Sequence, residues 1–167
     1  DGPSWPYATS QTLSAAEKIL HEGSDAMTRE EYMSLLSTYS RSHTLTENGR
    51  TIPFIDEDLD PFTGEWIARD RIVEIKKEGI DKIEGRGMYY NHSTFCDLVL
   101  SGAFGISVED DTLTVDPLAI GTWKTFSLEN LTVRGRTFAI AYDGKTLSLS
   151  ENGKTVATGA ASLRYPL

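Results

Sequence analysis

One cysteine, Cys96, stands alone among 167 residues, so the chain can form no internal disulfide framework. No run of about 18 apolar residues is present to make a bilayer-spanning helix. Positive charge is scarce: 16 Lys and Arg face 25 Asp and Glu, a formal net charge of -9. Such a surface repels phosphate backbones and anionic lipid, which excludes nucleic acid and membrane partners and leaves neutral ligands as candidates. Gly85-Arg86-Gly87 lacks the third glycine and the strand-turn-helix setting of a nucleotide loop, so it reads as a flexible link and no cofactor is assigned. His92 and Cys96 are spaced to face one side of a helix, but they offer two ligands where a zinc site needs more, and His21 and His43 add no matching spacing. Cys96, between Phe95 and Leu98, reads as a small buried hydrophobe. A charged and apolar leader is also missing: the chain opens at Asp1, and Trp5, Tyr7 and two prolines there call for a packing partner, so an excised or truncated chain is the expectation.

What is present suffices for a core, since a domain of this size buries roughly two thirds of its unfolded surface. Leu13, Ala16, Ile19 and Leu20 fall at helical spacing, and Gly23 ends that first helix. Thr28 and Glu31 have the form of a capping box, followed by Tyr32, Leu35, Leu36 and Tyr39 at i, i+3, i+4 and i+7. Phe95, Leu98, Val99 and Ala103 predict a third, largely buried helix over 93–103. Beyond Gly105 the pattern alternates, predicting strands at 112–115, 123–128, 131–134, 136–142, 146–150 and 155–157, with hairpin turns at Asp143-Gly144 and Asn152-Gly153. Helices followed by strands imply an α+β chain, divided into a helical part (1–105) and an antiparallel β domain (106–167).

Between Ile55 and Trp66 lies a knot of carboxylates: Asp56, Glu57, Asp58 and Asp60, closed by Pro61, Gly64 and Trp66. Like charges so close disfavour a helix, and a loop is expected. Alternating acids invite a calcium reading, but Pro61 stands where an EF-hand needs glycine and Ile67 where it needs a bidentate glutamate, so no metal is assigned. Trp5, Tyr7, Trp66, Tyr89 and Tyr90 sit near these polar stretches, and aromatic faces with carboxylates suit a carbohydrate; core packing is the plainer role for any single ring.

Three segments in order, Gly2-Pro3-Ser4-Trp5-Pro6, Asp56-Glu57-Asp58-Leu59-Asp60-Pro61-Phe62-Thr63-Gly64 and Tyr90-Asn91-His92-Ser93-Thr94-Phe95-Cys96-Asp97, resemble the end of glycoside hydrolases with an (α/α)6 barrel, similar to family 63 and mannosylglycerate-hydrolase-like domains. Asp110-Asp111-Thr112-Leu113 and Val115-Asp116-Pro117-Leu118 are similar to bacterial members carrying a C-terminal β domain or sandwich. The resemblance implies the closing helices of such a toroid and an inverting mechanism. It makes Glu57 the general base, with Trp5, Trp66, Asp56 and Asp58 on the sugar and Arg69 or Arg71 offsetting the crowded negative charge. The barrel has twelve helices against three here, so the general acid is expected upstream in a missing N-terminal part, and the isolated chain is expected to be inactive. A stand-alone carbohydrate-binding or structural module is the alternative.

Overall fold

The computed structural model describes residues 4–60, 62–68, 74, 89 and 94–167. Outside the described residues lie the expectations placed on Gly2, Pro3, Pro61, Arg69, Arg71, Gly85-Arg86-Gly87 and Tyr90-Asn91-His92-Ser93.

Helix α1 (Pro6–His21) starts with proline in its first turn, where the missing N–H has no partner to lose, and buries Leu13, Ala16 and Leu20. Helix α2 (Arg29–Ser42) carries the capping box: the Thr28 hydroxyl accepts from Glu31 N at 3.1 Å, and Glu31 Oε2 accepts from Thr28 N at 2.8 Å. Its buried face is Tyr32, Met33, Leu36 and Tyr39. Leu35, expected in the stripe, is exposed. A hairpin absent from the sequence reading follows, β1 (Thr44–Glu47) and β2 (Arg50–Pro53), turning through Asn48 (φ 51°) and Gly49 (φ 76°).

The third helix, α3, has one α-helical turn at Thr94–Asp97 and widens into a π-helix over Leu98–Ala103; Phe104 N donates to Val99 O, five residues back, at 3.0 Å. Leu98 and Ala103 point inward. Cys96 does not: it is exposed, correcting its reading as a buried hydrophobe, because Leu98 takes the inward side and leaves Cys96 and Asp97 facing water.

All later strands pair antiparallel. β3 (Ile106–Glu109), β4 (Thr112–Val115) and β9 (Leu163–Pro166) form one sheet in the order β3-β4-β9. β5 (Phe126–Val133), β6 (Arg136–Tyr142), β7 (Leu147–Glu151) and β8 (Lys154–Gly159) form the other in chain order. The two strands expected at 123–128 and 131–134 are the single strand β5, bulged between Leu128 and Leu131 with Asn130 at φ 59°. Asn152 (φ 49°) and Gly153 (φ 79°) make the expected tight turn. At Asp143-Gly144 only the glycine is left-handed; the Asp143 carboxylate instead accepts from Lys145 N and Thr146 N, both at 2.8 Å, in a longer turn.

Leu113, Val115 and Leu163 from one sheet and Phe138, Ile140, Leu147 and Leu149 from the other meet in the same buried cluster as the inner faces of α1, α2 and α3. The core therefore runs unbroken through residue 105. At that junction Asp116 N bonds Gly105 O (2.9 Å), Leu118 N bonds Gly102 O (3.2 Å) and Ala119 N bonds Ala103 O (3.2 Å). Gly105 is left-handed, and a Cβ there would fall 1.9 Å from Asp116 O; one on Gly102 would fall 2.1 Å from the Tyr32 hydroxyl. Tyr32 is fully buried and donates to Leu98 O at 3.4 Å, and burial pushes its phenol well above the ordinary range.

Candidate active site

The acid-rich segment is a loop, suspended from its own small buried cluster of Phe54, Leu59 and Trp66, apart from the main core. Backbone bonds fix its path. Phe54 N donates to His43 O at 3.0 Å, where β2 ends. Leu59 exchanges two bonds with Ser4, at 2.7 and 2.8 Å, tying the loop to the residue that leads into α1. Ile67 N closes onto Asp58 O at 3.0 Å, and Asp60 N onto Glu65 O at 2.9 Å.

These contacts sort four acids that look alike in sequence. Asp56 is fully buried, and its carboxylate accepts from Glu57 N at 2.8 Å. Asp60 turns its carboxylate back on the loop, accepting from Phe62 N (2.8 Å) and Thr63 N (3.0 Å); the bonds from Thr63 and Phe62 hold its carboxyl below the usual carboxylate range. Asp58 is half-buried with a left-handed backbone, φ 56°, a conformation Asp tolerates better than most residues. Glu57 is half-buried, and no hydrogen bond or ion pair engages its carboxylate among the described residues. Its backbone N–H is held by the Asp56 carboxylate.

The aromatics divide too. Trp5 is 50% exposed, beside Ser4 and so beside the loop. Trp66 is 6% exposed, donates its indole N–H to Thr44 O at 2.9 Å and meets Phe54 edge-on at 5.8 Å; it supports the loop from beneath. Tyr89 also meets Phe54 edge-on, 5.7 Å away, with its N–H on Ile55 O at 2.8 Å. A cavity of about 450 Å³ opens between the helices and the loop, bordered by Ser4, Leu35, Tyr39, Asp60, Thr63 and the 91% exposed Phe62; Glu57 does not line it. No group of three metal-ligating side chains gathers among the described residues.

The sequence reading missed Leu59 and Ser4 as positioning residues. Leu59 was marked by being the one apolar side chain inside the acidic run, a position that only burial rewards.

Helices α1 to α3 followed by antiparallel sheets make an α+β chain consistent with the end of a glycoside hydrolase domain. The chain belongs to the mannosylglycerate hydrolase MGH1-like glycoside hydrolase family, whose domain matches residues 1–93. A solved structure described as a sialidase is similar over 98% of the chain, at 30% identity and a TM-score of 0.77, and the chain spans 15% of that protein's length. No curated protein matches the chain.

Proposed function

We propose that the chain is the closing part of an inverting glycoside hydrolase and supplies its general base, Glu57. The observation that carries this reading is the sorting of the loop carboxylates: Asp56 and Asp60 accept from the loop's own N–H groups, while no hydrogen bond or ion pair engages the carboxylate of Glu57 or Asp58 among the described residues, and of these two the family resemblance assigns the base role to Glu57. An inverting hydrolysis needs such an ionised carboxylate to take a proton from water as the water attacks the anomeric carbon. A carboxylic acid roughly 6.5–9.5 Å away must protonate the leaving oxygen on the other face. That acid belongs, in this reading, to a preceding part of a longer polypeptide, which the 15% coverage of the sialidase supports. Trp5 and Asp58 contact the sugar in this reading, which the 50% exposure of Trp5 supports. Asp56 acts one step removed by holding the Glu57 backbone, and Trp66 by holding the loop. The sialidase likeness contributes architecture, not a choice of sugar.

The test is turnover of aryl glycosides by the longest native polypeptide that carries this sequence. Glu57→Gln is expected to lower kcat by about 10²–10⁴-fold with KM little changed, and the first-formed sugar is expected to have the inverted anomeric configuration. An unchanged kcat removes Glu57 from the role; retention of configuration removes the mechanism. Turnover by the isolated 167 residues would show that the acid is not upstream.

A further inference from the structure

His21 is the last residue of α1, and each of its ring nitrogens faces an oxygen that can only accept: Nδ1 lies 3.3 Å from Asp116 Oδ2 and Nε2 3.3 Å from the Ser101 carbonyl oxygen. A neutral imidazole has one N–H and one lone pair, so it satisfies one of these contacts and sets its lone pair against the other. The imidazolium satisfies both. Three parts of the fold converge here, since Ser101 belongs to α3, Asp116 follows β4, and Arg29 at the start of α2 reaches Asp116 Oδ1 (3.3 Å) and Pro117 O (3.1 Å). A cavity of about 500 Å³ adjoins the cluster.

We propose that His21 is a proton-operated clasp that joins the helical part to the β domain and loosens that junction when its proton is lost. The surrounding charges favour the cation. Asp116 is held below the usual carboxylate range, first by its bond from His21, and so stays ionised while His21 titrates. Glu17, one turn back on α1, adds negative charge once ionised, although burial pushes its carboxyl up; Asp97 of α3 faces Glu17. Lys18 and Glu22 of α1, Glu109 of β3 and Arg164 of β9 border the same cavity. The negative end of the α1 dipole acts in the same direction as Asp116.

The Asp116 hydrogen bond outweighs partial burial and raises the folded-state pKa of His21 above its ordinary 6.5. A raised pKa contributes stability that is fully present below pH 6.5 and is lost as pH rises through the folded value. His43 is a built-in control: its Nδ1 sits on Tyr39 O at 2.6 Å, its Nε2 has no partner among the described residues, and burial lowers its pKa, so it stays neutral over that range.

The experiment is a ¹⁵N NMR titration of both histidines in the chain, with amide exchange at Asp116, Leu118 and Ala119 measured on the same samples. The expected result is two protonated nitrogens on His21 below its transition and a midpoint above 6.5. Exchange at the three junction amides, corrected for hydroxide, should speed by about tenfold for each pH unit between the free and folded midpoints. In His21→Gln the three amides should lose this pH dependence. A midpoint at or below 6.5, or the same exchange profile in the variant, overturns the proposal. If His21→Gln fails to fold, the wild-type titration alone decides.

Discussion

The acid loop and the helix–β junction are both irregular backbone, yet they are held in different ways. At the junction, residues 102–105 and 116–119 interlock backbone to backbone, Gly102 and Gly105 leave no room for a side chain, and the main core surrounds them. The loop rests on three buried side chains of its own, and Ser4, Ile67 and Glu65 supply its backbone partners. Few buried apolar contacts mean a low free energy of local opening, and ligand-binding segments are drawn from that end of the range. The carboxylates therefore sit on the more adjustable of these two regions.

The largest expected effect lies at the junction. Gly105→Ala places a Cβ against Asp116 O at a left-handed position, φ 62°, and should cost about 3 kcal/mol or more of global stability by urea denaturation. A cost below about 1 kcal/mol would show that the interlock yields and would erase the contrast with the loop. Leu59→Ala should come next, with about 2–3 kcal/mol removed from the loop's local stability. Limited proteolysis should speed near residues 55–66 while exchange at Leu118 stays slow. If Leu118 loses protection in step, the two regions open as one unit and the comparison fails. Smallest, and a control outside both regions, is Asn152→Ala in the β7–β8 turn, where an alanine at φ 49° should cost about 1 kcal/mol without changing either loop or junction. A larger loss accompanied by junction exchange would mean that the hairpin, too, supports the interlock.

What could be read from sequence was local chemistry. The capping box at Thr28 and Glu31, the turn at Asn152-Gly153 and the limits of β4 and β6 each depend on residues close to one another in the chain. The β1–β2 hairpin carried the same kind of signal in Asn48-Gly49, but its four-residue strands are polar and mostly exposed, so no alternation framed the turn. β9 has its partner in β4, about fifty residues earlier, and nothing nearby in sequence announces that pairing. The acid loop was visible as a composition, and its family as an ordered set of motifs. Which carboxylates the loop would tie up was not visible, because Asp56 is removed from solvent by the fold and Leu59 is held by Ser4, far back in the chain.

The π-helical stretch at Leu98–Ala103 has a consequence for the heading of everything that follows it. An α-helix turns about 100° per residue, and a π turn takes up one residue more than an α turn over nearly the same arc. Removing a single residue there would restore an ordinary helix and swing the strands that follow by about that angle, carrying Leu118 and Ala119 away from Gly102 and Ala103. One widened turn thus sets the bearing of the antiparallel strands, and the interlock at residue 105 forms at that bearing.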